Sequence, residues 1–506
     1  MMRHGVGRLL LGAATAILVS LAGASRIAAQ LPDSGAMDGS TPLHEAIRHN
    51  DTAAIRALLA RGADVNGPTR FGVTPLDLAA LQGDTAIVRT LLDAGAKPNA
   101  ATPGGETPLM TAARVGRVDM VTLLLDRGAA VNAKTSPRGQ TALIWAVTEN
   151  HPDVVKLLVG RGADVNVHTS ISMPKGEYSP AQPGFAAGMG LVRQRALPTP
   201  DGGMTPLLFA VRDGNRDMMR LLLELGADIE QASGNHTSPL VIAVLNGQVG
   251  LAGELLARGA RPDTADDYHR AALFAAVELR NPNRNTQLFG DGRDPLDLIK
   301  VLLDKGADPN RRTDTTPVHG WMQLDPSWVN FDGQTPFIRA ALSGDIEVMR
   351  VLLAQGADPK ITTREGTTAL MAASGINWVP GQTYTRSQAD YLEAVKLCLD
   401  RGNDVNATNS LKLAAIHGAA NRGWPPIIQV LADHGAKLDL KDAADRTPLM
   451  FAQGTFLAVR PPSAKPEAVA LLRRLMGDDT AADNAGAARG RGQGRGQGQG
   501  RGRSEQ

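Results

Sequence analysis

The sequence predicts an all-α repeat architecture of about eleven stacked helix–turn–helix units between about residue 39 and about residue 479. Three observations predict it. A Thr-Pro-Leu or Thr-Ala-Leu start recurs at Thr41, Thr74, Thr107 and Thr141, spaced 33, 33 and 34 residues apart. A glycine stop recurs at Gly62, Gly95, Gly128, Gly162, Gly226, Gly259, Gly306, Gly356, Gly402 and Gly435, with a degenerate eleventh near Gly477. Aromatic residues make up only 4% of the 506 residues while the hydrophobic fraction is 43%, which suits helix pairs packed through Ala and Leu. Period, rather than length, decides the domain count: one unit of this size buries too little apolar surface to stand alone, and stacking supplies the rest.

The unit Thr107–Gly139 shows how each part is specified. Thr107 can cap a helix, and Pro108 suits the first helical position, where a missing N–H costs nothing. Leu109, Ala112 and Ala113 follow at helical spacing, and Gly116 ends this short first helix. A second helix carries Val121, Leu124 and Leu125 as its expected buried stripe, and Gly128 supplies a left-handed stop. A polar, turn-rich return leads to the next Thr-Ala pair. The TPLHEA run at Thr41–Ala46, with closures such as GADVN at Gly62–Asn66, resembles the ankyrin repeat over nearly the whole chain except its two ends. The resemblance implies antiparallel helix pairs, β-hairpin fingers between units and a curved all-α repeat solenoid. It also implies non-covalent binding, mostly of proteins, through fingers and first helices, and it brings no catalytic residues.

Taken in order, residues 1–29 read as a signal peptide: Arg3 and Arg8, an uncharged run from Leu9 to Ala24, then small residues through Ala29. The run is shorter than the ~20 residues of a spanning helix. No transmembrane span is expected after removal of the signal, and the expected location is the bacterial periplasm, with release to the medium as the alternative. Residues 30–38 form a short linker. Residues 39–166 hold four repeats almost free of insertions, with His44 at a position where the family uses histidine to hydrogen-bond between units; His417 occupies the same position later. Trp145 is expected to pack within a first helix. The lone Cys398 lies on the apolar stripe of a second helix, which predicts a buried thiol and excludes an intrachain disulfide.

Five insertions then enlarge the repeats. The Gly162–Gly226 spacing is 64, an excess of 31, and the added segment at about 167–203 follows the glycine stop, where a finger lies. Later excesses of about 14, 17, 13 and 9 residues fall at about 281–294, 311–333, 375–389 and 454–465. The segment 311–333 is finger-sited, whereas the other three separate the two helices of a repeat. Gly423-Trp424-Pro425-Pro426 replaces an ordinary helix–helix turn. The tail 480–506 is Gly-, Arg- and Gln-rich and lacks the apolar content to fold alone.

Charge excludes a nucleic-acid coat. The whole chain has 53 basic and 51 acidic residues; without residues 1–29 and the tail 487–506, the body carries a net −5. No specific nucleic acid is expected; the basic tail is expected to make at most weak contact with anionic polymers. No HExxH, CxxC, GxSxG or phosphate-cradling loop occurs, so no catalytic residue, metal or cofactor is expected. Asp266, Asp267 and His269 could form an acid–base group in principle, but capping and solvated charge are routine at such a position. The placement of large aromatics is the functional signal. Tyr178, Phe185, Trp321, Trp328, Phe331, Trp378, Tyr384 and Trp424 all lie in insertions or the altered turn, and either contact a partner or pin the insertion to the helices. The expectation is an exported scaffold for another protein; the alternatives are an enzyme or small-ligand site within the insertions, or a secreted effector.

Overall fold

The computed structural model describes residues 38–173, 200–281, 290–314, 332–376, 386–454 and 463–478. It divides into two compact units, Met1–Ala163 and Asp164–Gln506.

The first unit contains four helix pairs: α1 (Pro42–Arg48) and α2 (Thr52–Ala60), α3 (Pro75–Gln82) and α4 (Thr85–Asp93), α5 (Pro108–Val115) and α6 (Val118–Asp126), α7 (Ala142–Thr148) and α8 (Pro152–Gly160). The capping residues lie where the sequence places them. The hydroxyl of Thr107 accepts from the Met110 N–H, and Gly116 ends α5 in the left-handed region at φ 82°. A side chain at Gly116 would also meet the His151 ring at 2.5 Å, so both conformation and close approach require glycine there. At Gly128, with φ 85° and open space around it, conformation alone makes the demand. Its N–H bonds the Leu125 carbonyl at 3.0 Å and the Ala129 N–H bonds Leu124 at 3.0 Å, a Schellman stop. The buried arc of α6 differs from the expected stripe: Met120, Val121, Leu123 and Leu124 are buried while Leu125 is half-buried. The helix packs against α5 and also against α4 and α8, so the covered arc is wider than one stripe and turned toward those neighbours.

The second unit begins with a two-stranded antiparallel ladder, β1 (Ile171–Ser172) and β2 (Asp201–Gly202), with Ile171 opposite Gly202. Seven helix pairs follow: α9 (Pro206–Arg212) and α10 (Arg216–Glu224), α11 (Pro239–Leu245) and α12 (Val249–Ala257), α13 (Ala272–Arg280) and α14 (Leu296–Asp304), α15 (Pro336–Ser343) and α16 (Ile346–Ala354), α17 (Ala369–Ala373) and α18 (Gln388–Asp400), α19 (Ala415–Arg422) and α20 (Pro425–Asp433), α21 (Pro448–Ala452) and α22 (Pro466–Leu475). The eleven pairs of the two units match the repeat count read from the glycine stops. Residues 388–389 at the end of the 375–389 insertion already belong to α18, capped by Ser387.

Two hydrogen-bond systems tie successive repeats within each unit. The asparagine that ends a GADVN-type closure reaches the next repeat: Asn99 Nδ2 donates to the Gly128 carbonyl at 2.9 Å while its Oδ1 accepts from the Ala130 N–H at 2.7 Å. Asn66, Asn310 and Asn406 repeat both bonds. The buried histidines do similar work, His44 Nε2 lying 3.1 Å from the Val73 carbonyl and His417 Nε2 3.1 Å from Leu440. Burial holds both histidines below their ordinary pKa of 6.5 and keeps them neutral.

Candidate partner-binding surface

An ordinary finger in this protein is five residues long and is closed by a backbone bond from its first residue to its last, as from Thr363 N–H to the Thr367 carbonyl at 2.9 Å. The two finger-sited insertions use the same closure. Thr169 donates to Met204 at 3.0 Å, across 36 residues instead of five, and Thr313 donates to Gln334 at 2.9 Å, across 22. The excesses of 31 and 17 residues are those found from the glycine spacing. Each insertion is therefore spliced between the second and third residue of an otherwise normal finger, and the flanking stumps stay in register: the Arg364 N–H bonds the Asp332 carbonyl at 3.2 Å, and Gly234 bonds Gly202 at 2.9 Å.

Side chains reinforce the roots of the 311–333 segment. Arg364 pairs with Asp332 at 3.2 Å and with Asp314, which also lies 2.6 Å from His269 Nδ1. Asp267 pairs instead with His236 at 2.5 Å, and the buried Asp266 pairs with Arg270 at 3.0 Å. Asp266, Asp267 and His269 thus have three separate partners and do not assemble as one acid–base group. His236 and His269 stand at φ 58° and 55° where neighbouring fingers carry glycine. Among the described residues no group of His, Cys, Asp and Glu has the arrangement of a metal site.

The insertions at about 281–294, 375–389 and 454–465 leave from the ends of α13, α17 and α21 and return at α14, α18 and α22. The described residues that flank them therefore lie at the helix–helix-turn edge of the second unit, at the far end of the first helices from its fingers. Of the eight aromatic candidates, Tyr178, Phe185, Trp321, Trp328, Phe331, Trp378 and Tyr384 lie outside the described residues. Trp424 is described. It is half-buried, 4.7 Å from the Tyr391 ring, with the Arg422 guanidinium 3.6 Å above it. Tyr391 is fully buried and donates to the Leu342 carbonyl at 3.1 Å. Trp424 is thus braced against the helices. Trp145, expected to pack inside, is instead half-buried on the face of α7, with Arg114 5.4 Å from its ring centre.

First-helix faces differ between the units. Four residues after the capping position, Glu45, Leu78, Thr111 and Trp145 are half-buried, but Ala275, Arg339, Ala372 and Gly418 are buried. Every residue of α15 is buried. Cys398 is buried as expected, and burial pushes its thiol pKa up, leaving it without thiolate character.

Sequence reasoning missed a charge cluster at the helix–helix-turn edge. Asp345, the capping residue of α16, is buried, and its Oδ2 accepts from Arg280 Nε at 3.0 Å, Arg386 at 2.8 Å and Asn281 Nδ2 at 2.9 Å. Arg280 reaches outward to Glu347 at 2.6 Å and to Asp294. Arg339, 2% exposed, donates to the Ser343 hydroxyl at 2.6 Å and to the Asn281 carbonyl at 2.7 Å. The available signal was an arginine in the otherwise apolar run PFIRAAL.

A family model described as ankyrin repeats (3 copies) matches residues 12–102, 99–169, 189–266, 292–377 and 385–460. The B-cell lymphoma 3 protein homolog of Mus musculus is 29% identical over 258 residues, which is 50% of this chain and 49% of that protein. A putative ankyrin repeat-containing protein of Treponema pallidum (strain Nichols) is 29% identical over 160 residues, 31% of this chain and 43% of that one. The chain thus spans about half the length, or less, of these relatives. The crystal structure of the ankyrin repeat domain of Bcl-3 aligns with a TM-score of 0.39 at 24% identity, covering 52% of this chain and 99% of that domain.

Proposed function

As this chain belongs to the ankyrin-repeat family, we propose that it is a non-catalytic scaffold that holds a partner protein on its fingers and first helices. The observation that carries this reading is the splicing of the 31- and 17-residue insertions into fingers whose closing bonds are intact. Residues added in this way enlarge a contact surface without rebuilding the stack beneath it, and the aromatics concentrated in them are the side chains binding surfaces favour. In the first unit the half-buried Leu78, Thr111 and Trp145 offer an open first-helix surface. In the second, where the corresponding residues are buried, contact falls to the fingers. Tyr178, Phe185, Trp321, Trp328 and Phe331 would contact the partner there; Trp378, Tyr384 and Trp424 would form a separate patch on the helix–helix-turn edge. Residues 1–29 would direct export, placing the scaffold and its partner in a bacterial periplasm, with residues 480–506 as a solvated tail.

The test is affinity capture from an envelope fraction with the intact chain and with a variant lacking residues 315–331. A protein recovered with the intact chain and lost with the variant, while the variant keeps its helical circular dichroism, supports the reading. Equal recovery with both removes the 311–333 finger from the contact. Failure to recover any protein with the intact chain counts against the scaffold.

A further inference from the structure

Successive fingers of the second unit at 233–237, 266–270, 313–334 and 363–367 are joined by backbone bonds. The Asp267 N–H donates to Asn235 at 3.1 Å, Asp314 to Tyr268 at 2.7 Å and Arg364 to Asp332 at 3.2 Å. The residue before the last of each finger stands in the left-handed region, and Gly203, Gly333 and Gly366 hold it at φ 65°, 76° and 82°. At His236 and His269 the same conformation carries an imidazole ring instead, at φ 58° and 55°. Each ring spans the gap to the second residue of the next finger: His236 Nδ1 lies 2.5 Å from Asp267 and His269 Nδ1 2.6 Å from Asp314. Lys412 and Asp445 share the conformation in the last two fingers, but the finger after Lys412 offers Ala443 at that place and no carboxylate.

An uncommon backbone conformation kept by a titrating side chain, in contact with a carboxylate, points to a use for the ring. The charges around the two rings are unequal. Asp267, Asp314 and Asp332 supply three carboxylates, and Arg364 alone answers the last two. Asp308 and Arg311 line the cleft beside the His269 ring, and the neighbouring Arg270 is taken up by the buried Asp266. Burial raises the Asp332 carboxyl, with Asp314 pushing the same way against Arg364. We propose that His236 and His269 form a proton-operated clasp, which binds the fingers at 233–237, 266–270 and 313–334 more firmly to one another as the rings gain charge. Each ring can donate from Nδ1 in either charge state, but only the charged ring adds the attraction of opposite charges. The two side chains are 74% and 61% exposed, so water delivers the proton to each ring directly. Histidine is the side chain that gains charge between about pH 8 and pH 5, so acid tightens the row and rising pH loosens it. The second ring acts at the root of the 311–333 segment and firms it whether or not a partner sits on the fingers.

The test is hydrogen exchange of the Asp267 and Asp314 amides, read by mass spectrometry on the full chain and on the double variant His236→Gly, His269→Gly. Glycine is the residue other fingers carry there, so the backbone bonds between fingers are kept. At a given pH the rate of the variant is divided by that of the unaltered chain, which cancels intrinsic exchange and the titration of groups common to both. That ratio is expected to be about threefold higher at pH 5.5 than at pH 8, the scale of an exposed ion pair. A second double variant, His236→Asn with His269→Asn, keeps a side chain suited to the conformation and removes the titrating ring. It should give the same rise in ratio between pH 8 and pH 5.5. An equal ratio at the two pH values would overturn the proposal, as would an asparagine variant that exchanges like the unaltered chain at both.

Discussion

Asp345 holds Arg280 and Arg386 with a side chain only 1% exposed, while the salt bridges of the first unit lie on its surface. Removing a buried carboxylate strands its partners, so Asp345→Asn is expected to cost about 3–5 kcal/mol. Replacing Asp93, the exposed partner of Arg127, should cost less than about 1 kcal/mol. Urea unfolding of the two variants checks the contrast. Titrating groups in the first helices set opposite pH trends. Neutral, buried His44 and His417 have pKa values below 6.5, so the unfolded chain binds protons first as pH falls. Their stabilising contribution is therefore present above about pH 6.5 and declines below it. Asp77 occupies the position of His44 in the next repeat, and burial pushes its carboxyl up to about 6. Its contribution is present below pH 3.8 and is lost as pH rises through about 6. Asp77→His would place a neutral ring within reach of the Glu106 carbonyl, as His44 reaches Val73, and is expected to stabilise the protein by about 1 kcal/mol at pH 7.5. Thermal unfolding from pH 5 to 8 would test both trends.

At the scale of the element, the finger is the unit that matters. Deleting residues 315–331 joins Asp314 to Asp332 and leaves TDDGQ, the same length as the ordinary finger TREGT at Thr363–Thr367. That variant should keep its helical content and melt within about 2 °C of the intact chain. Deleting 311–333 instead removes the Thr313 closure and the partners of Arg364 and His269, and should melt measurably lower. Helix starts, glycine stops and insertion lengths were legible in the sequence because each is encoded by residues a few positions apart. The full width of the α6 arc was not, since α4 and α8 decide it from outside the repeat. The asparagine ladder was missed for the same reason: Asn99 looks like one more polar turn residue until the next repeat supplies Gly128 and Ala130. At the candidate site, the splice points in the fingers could be read from spacing alone. The cluster around Asp345 could not, because it joins residues 65 and 41 positions away in the chain.

At the scale of the whole molecule, stability is the sum of what each repeat does and what it receives from its neighbours. Four complete pairs fill residues 38–163, more than the three that such arrays need, so this fragment alone is expected to fold. Circular dichroism should show helix and a cooperative melt; a featureless thermal profile would mean that the first unit depends on the rest of the chain. The five-residue finger closure also bears on how this chain can change over generations. Doubling the length of a closed loop costs only about 0.6 kcal/mol in closure entropy. Sequence between Asp314 and Asp332 is therefore free to lengthen, shorten or be replaced outright while Thr313 and Gln334 stay as they are. One gene can in this way hold a slowly changing frame and rapidly changing passages side by side, and acquire a new specificity without learning to fold again.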